Sequence, residues 1–157
     1  MKERVLLVTG MSGAGRTASL KVLEDLGYEA VDNLPLSFLG RLIDQPEPEN
    51  LLGKGRPLAI GVDLRTRGFS VETVIDELER WKAKHVAEVL SIFVDCEDMV
   101  LGRRFTETRR RHPLASDRPL LDSIKLERRL LSRLRDRADL VLDTTERSLP
   151  ELNVVLA

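Results

Sequence analysis

At 157 residues the chain suits one domain with a proper core and falls short of two, at roughly 100–200 residues per domain. Its 42% hydrophobic and 32% charged residues are those of an ordinary soluble globular protein, and a net charge of −1 singles out no partner. A lone cysteine, Cys96, excludes an intrachain disulfide, two distant histidines offer no metal cluster with it, and no stretch approaches the roughly 20 apolar residues of a membrane span. The apolar run after Met1-Lys2-Glu3-Arg4 is too short for a signal peptide, so a cytoplasmic protein is expected.

Aromatics make up 4%, so the core must come from Leu, Val, Ile and Ala. Residues 4–9 (RVLLVT) predict a first strand, and a glycine-rich stretch follows. Residues 18–26 predict a helix with Leu20, Leu23 and Leu26 at steps of three, stopped by Gly27. A short strand is expected at 28–31 (YEAV), and the Pro-, Gly- and charge-rich 44–57 stretch reads as a mobile loop rather than a domain boundary. Strand 58–63 (LAIGVD) precedes a helix over 71–85 with Ser70 as N-cap and Val71, Val74, Ile75, Leu78 and Trp81 on one stripe. Strand 90–95 (LSIFVD), helix 97–108 with Met99, Val100 and Phe105, and helix 120–135 with Leu120, Ile124, Leu131 and Leu134 come next. Strand 139–143 (DLVLD) and a helix over 148–156 close the chain. Near-continuous apolar runs read as strands buried on both faces of a parallel sheet. Alternation with helices implies a doubly wound α/β fold with five mainly parallel strands in one domain over 1–157.

The glycine-rich stretch carries the chemistry. It reads Gly10-Met11-Ser12-Gly13-Ala14-Gly15-Arg16-Thr17, between a strand and a helix. The phosphate-loop pattern is G-x-x-x-x-G-K-[ST] in that same context. Glycines let successive N–H groups turn inward, and the helix N-terminus adds the positive end of its dipole. Thr17 supplies a hydroxyl for Mg²⁺ beside the phosphates. Arg16 stands where the pattern has Lys. It keeps the charge, but its planar head donates in a fixed fork, which leaves nucleotide binding expected and hydrolysis open.

An acid at the end of a neighbouring strand would order Mg²⁺ or its water. Asp32, Asp63 and Asp95 each close an apolar run. Asp63 is the choice here, because Leu64, Arg65 and Thr66 bring a cation and a hydroxyl directly after the acid. Residues 101–137 hold eleven Arg and one Lys against five acids, a block suited to phosphate groups. Within it, Arg104, Arg109 and Arg110 are candidates for a lid closing on phosphates; the alternative is a solvated face with ion pairs. His112 reads as a loop residue, and Trp81 and Cys96 as packing residues.

Together these segments resemble the RapZ/YvcJ family of bacterial nucleotide-binding proteins, described as P-loop ATPases and RNase adapter proteins. The matching stretches are 10–35 (GMSGAGRTASLKVLEDLGYEAVDNLP), 63–66 (DLRT), 103–114 (RRFTETRRRHPL) and 126–145 (LERRLLSRLRDRADLVLDTT). The resemblance implies a P-loop NTPase fold like that of small nucleoside-monophosphate kinases. It implies an ATP site at 10–17, a GTP site at 63–66, and weak hydrolysis of both with Mg²⁺, in which Arg16, Thr17 and Asp63 would act. It also implies that RNA and amino-sugar phosphate belong to a C-terminal domain, which is expected to be absent from this chain. A homo-oligomer is left open.

Three functions compete: a regulatory ATP- or GTP-binding domain with slow NTPase activity, a small-molecule or nucleotide kinase, and an RNA-binding module using the 103–137 block. Fold alone does not choose among them. The resemblance favours the first. The lack of aromatics near the arginines weakens the last, since single-stranded RNA is usually gripped by stacking as well as charge.

Overall fold

The computed structural model describes residues 3–38, 57–84, 87–109, 111–114 and 118–146. Five strands form one sheet: β1 (Glu3–Gly10), β2 (Glu29–Asp32), β3 (Leu58–Gly61), β4 (Ala87–Asp95) and β5 (Leu140–Asp143). Their spatial order is β2-β3-β1-β4-β5, and every pairing is parallel. The central position falls to β1, whose Val5, Leu6, Leu7 and Val8 are all buried. It pairs with β4 from Glu3↔Ala87 to Gly10↔Val94. A strand covered on both faces needs such an unbroken apolar run. The two edges depart from that expectation. In β5 only Leu142 is buried, with Leu140 and Val141 exposed, and β2 is half-buried.

The helices flanking the sheet among the described residues include α1 (Arg16–Asp25), α2 (Val71–Lys84), α3 (Asp98–Thr108) and α4 (Leu120–Asp136). The predicted stripe of α2 is buried from Val71 to Trp81, and the Ser70 hydroxyl accepts the Thr73 N–H at 3.0 Å as an N-cap. In α1 the helix begins two residues earlier than expected, and Leu20, Val22 and Leu23 are buried while Leu26 is exposed past its end. In α3 it is Leu101 and Phe105 that are buried; Met99, expected inward, is 73% exposed. The stripe of α4 includes Ser123 and Glu127 beside Ile124, Leu131 and Leu134. The loop expected at 44–57, Pro57 apart, and the helix expected at 148–156 lie outside the described residues. Among those residues no helix is long and apolar enough to cross a membrane.

Because all strands are parallel, their carboxyl ends share one edge of the sheet. The turns after β1, β3, β4 and β5 therefore gather there, where open α/β sheets take their ligands.

Trp81 is the largest fully buried side chain, and its Nε1 has no hydrogen-bond partner among the described residues. Trp81→Ala should destabilise the protein by about 3–5 kcal/mol. Trp81→Phe, which removes the orphaned N–H and keeps most of the volume, should cost less. Urea unfolding midpoints of the two variants check this ordering.

Candidate functional site

Two backbone approaches build the loop at the end of β1. Gly10 has φ +151°, and a Cβ there would strike the Val94 carbonyl oxygen, which also accepts the Met11 N–H at 3.0 Å. Gly13 has φ +83°, and a Cβ there would lie 2.9 Å from the Phe105 ring. Met11 is buried, and its carbonyl accepts the Ala14 N–H at 3.0 Å.

The loop's carbonyls are held from below. Thr144, buried just past β5, donates its hydroxyl to the Ala14 carbonyl and its N–H to the Asp95 carbonyl at 2.9 Å. Arg104 donates to the Gly13 carbonyl at 3.2 Å and to the Thr144 carbonyl at 2.8 Å. In a trans peptide the next N–H points opposite its carbonyl, so the Gly15 N–H is turned away from Thr144. The N-cap of α1 is Gly15, and no acidic side chain stands in that helix's first turn. The helix N–H groups without intrahelical partners and the dipole end are left uncompensated by the chain's own sequence there.

Arg16 turns away from the loop to the neighbouring strand ends. Its guanidinium bonds Asp32 and lies 2.9 Å from Asp63, and its side chain is 12% exposed. Gly61 makes room for this clamp. A Cβ there would meet both Arg16 Nη1 and Asp32 Oδ1 at 2.6 Å. Asp63 is buried and also accepts the Arg65 N–H at 2.8 Å. Its own N–H donates to the Thr66 hydroxyl at 3.0 Å, and the Thr66 N–H returns to the Asp63 carbonyl at 3.0 Å. Residues 63–66 are thus a closed turn. Thr66 is buried in it, and Leu64 packs on the core.

A cavity of about 250 Å³ opens on this edge. It is lined by Gly10, Met11, Ser12, Gly13, Gly15, Arg16, Thr17 and Ala18 of the loop and α1, by Asp63 and Arg65, and by Arg104, Phe105 and Thr108 of α3. The structure therefore brings the loop and the 63–66 turn to one space. Ala14, Leu64 and Thr66 lie outside its lining. Of the three lid candidates, Arg104 faces the cavity but spends its guanidinium on Gly13 and Thr144. Arg109 caps α3 with φ +54°, exposed and away from the cavity, and Arg110 lies outside the described residues.

The three candidate acids separate. Asp63 lines the cavity, Asp32 stands behind it on Arg16, and Asp95 is committed elsewhere. Asp95 accepts Arg128 at 2.9 Å, Arg135 at 3.0 Å and the Cys96 N–H at 2.7 Å. Burial works against the Arg128 charge, but hydrogen bonds to Asp95 and Asp98 outweigh it and raise its pKa. Other arginines of the basic block pair at the surface, Arg133 with Glu72 and Arg137 with Glu79.

Sequence reasoning missed Thr144 and Glu127. Thr144 leaves no motif. Glu127 did leave a signal, because it stands three residues after Ile124 and four before Leu131 on the buried stripe of α4.

The fold is that of small P-loop kinases. The chain resembles a shikimate kinase from Bacteroides thetaiotaomicron with a TM-score of 0.63 at 14% identity, covering 98% of this chain and 96% of that one. A putative kinase from Chloroflexus aurantiacus gives 0.56 at 15% identity, over 99% and 97%. The chain belongs to the RapZ-like N-terminal domain family, which it matches over residues 3–157. It is 54% identical over 155 residues to a nucleotide-binding protein of Paramagnetospirillum magneticum, covering 99% of this chain and 49% of that protein. It is 55% identical over 147 residues to one from Rhodospirillum rubrum, covering 91% and 43%. The chain thus spans about half the length of these relatives.

Gly61→Ala forces the Arg16–Asp32 clamp apart, or Leu20 out of place. We expect a loss of about 1–3 kcal/mol, the usual range for overpacking. Combining it with Asp32→Ala should make the two losses clearly non-additive in urea unfolding, since both act on the one clamp.

Proposed function

We propose that this chain is a single nucleotide-binding domain that takes a nucleoside triphosphate with Mg²⁺, with its phosphates on the 10–17 loop. One observation carries the reading. The first turn of α1, free of acids and preceded by a loop whose Gly13 and Ala14 carbonyls are held by Arg104 and Thr144, faces a cavity that also exposes Thr17, Asp63 and Arg65. Backbone N–H groups, a dipole end and arginine around one space suit a polyphosphate. The family, and its relatives named as nucleotide-binding proteins, point the same way.

For the cation, Thr17 and Asp63 fit a Mg²⁺ bound mainly through phosphate oxygens and waters, which is how this ion is usually held beside nucleotides. The metal would neutralise phosphate charge. Asp63 reaches it only by sharing or releasing Arg16. The clamp would then act as a gate, because a phosphate that drew Arg16 away would leave the Asp63 carboxylate available to help hold the cation. Asp32 opposes this by holding the other side of the guanidinium.

Because Asp63 and Arg65 face the same cavity as the loop, we favour one nucleotide site, ATP or GTP, over separate sites at 10–17 and 63–66. Asp63 tied to Arg16 is a poor activator of water, which supports slow turnover and a regulatory output over a fast enzyme. Arg104, Arg128 and Arg135 are already tied to Thr144 and Asp95 within the fold, which counts against RNA binding by the basic block. RNA, amino-sugar phosphate and an RNase-adapter role would on this reading belong to the longer relatives' remaining half.

At a hundredfold excess over Kd, Mg²⁺ with ATP or GTP should raise Tm by about 5–10 °C. No shift with either at millimolar concentration overturns the reading. Asp32→Asn should tighten nucleotide binding several-fold in calorimetric titration by loosening the clamp; unchanged or weaker binding would show that Asp32 does not restrain Arg16. Thr17→Ala should weaken binding with Mg²⁺ present and barely alter it in EDTA.

A further inference from the structure

Beneath the loop, polar side chains from three separate segments meet, and two of them are buried. Glu127 on α4 is fully buried, and His112, between α3 and α4, is 2% exposed. One Glu127 oxygen accepts the Ser12 N–H at 3.0 Å, and the other accepts the Ser12 hydroxyl at 2.6 Å. The first oxygen also lies 3.1 Å from His112 Nε2. On the other side of that ring, Nδ1 accepts the Leu114 N–H at 3.0 Å. A nitrogen that accepts carries no proton, so the neutral ring has its proton on Nε2 and donates it to Glu127. The His112 ring leans on Phe105 at a centroid distance of 5.1 Å, and Phe105 in turn lies against Gly13. The chain of contacts closes on itself: Ser12, Glu127, His112, Phe105, Gly13.

Packing alone does not call for this arrangement. Glu127 sits among apolar positions of α4, where leucine would fill the space without the cost of desolvating a carboxylate. What the carboxylate adds is direction. It fixes both the peptide and the hydroxyl of Ser12, and it accepts a third bond from the residue that anchors the segment after α3. A fully buried side chain holding three donors cannot follow one of them without straining the others.

We propose that Glu127 and His112 are positioning residues that couple the phosphate loop to residues 111–114, so that an occupied loop is sensed at His112. The inference rests on the phosphate reading of the loop given above. A ligand that draws the loop's N–H groups moves the Ser12 peptide, Glu127 follows Ser12, and the His112 ring follows Glu127. The arginine-rich segment beyond α3 is thereby told whether the loop is filled.

The test uses the whole chain, Mg–ATP as the probe, and nitrogen–proton correlation spectra of the histidine rings. The chain has two histidines, so the His112 signals are assigned by their loss in His112→Gln. In the wild type, the spectrum should show the Nε2–H form, and saturating Mg–ATP should shift it. Glu127→Leu should weaken Mg–ATP by about tenfold and abolish the His112 shift, and Glu127→Gln, which can still bond Ser12 and His112, should recover both. A merely structural Glu127 would leave affinity and the His112 response unchanged in a folded Glu127→Leu protein. If Mg–ATP binds the wild type and the His112 signals stay still, the coupling is overturned, and this result needs no variant. If calorimetry detects no binding of Mg–ATP or Mg–GTP to the wild type, the phosphate reading falls and the coupling with it.

Discussion

The pairing of β1 with β4 runs without interruption to Gly10↔Val94, and the Val94 carbonyl then takes the Met11 N–H. That last contact is a backbone pressed on a backbone, with no space for a side chain at residue 10. It fixes where the central strand stops and the loop begins. The position of α1, the aim of its first turn and the distance from the loop to the neighbouring strand ends all follow from it. Parallel pairing does the rest, because it delivers the ends of β3, β4 and β5 to the same edge.

Around that fixed point the site divides into two electrostatic halves. On the β2–β3 side, Arg16 is shared by Asp32 and Asp63 over Gly61, so its guanidinium is engaged on both sides before any ligand arrives. On the β4–β5 side, Asp95 holds Arg128 and Arg135, and Thr144 and Arg104 draw loop carbonyls outward. The first half is placed to respond to a ligand and the second to hold still. A phosphate competing for Arg16 would replace one anionic partner with another, so the largely buried guanidinium would not be left unpaired. A ligand pulling on the loop from above meets Thr144 and Arg104, which hold the Ala14 and Gly13 carbonyls.

The basic block illustrates why net charge along a sequence is a poor guide to partners. Eleven arginines within residues 101–137 look like a surface for phosphate. Folding places several of them on carboxylates far away in the chain, Arg133 on Glu72 and Arg137 on Glu79 among them. Arg104 became a brace for the loop rather than a mobile finger.

Local pattern determined a good deal. The five strands, the alternation with helices, the loop of residues 10–17 and the stripe of α2 all follow from apolar runs, periodicity and glycine placement, which act over a few residues and need no distant partner. Edge and centre were not legible, because a short apolar run reads the same whether one neighbour covers it or two. Helix facing failed at Met99 for a similar reason: periodicity names a stripe, and only a packed partner says which side of it is buried. The site was legible as a loop and a list of acids, and no more. Which acid meets Arg16, which is spent on Arg128, and why a glutamate lies in the core of α4 depend on segments 33 to 115 residues apart. Those are pairings between charged and hydrogen-bonding groups whose strength depends on distance and burial. Only the tertiary structure supplies either, so the sequence determined what the loop is made of, and the fold decided what holds it.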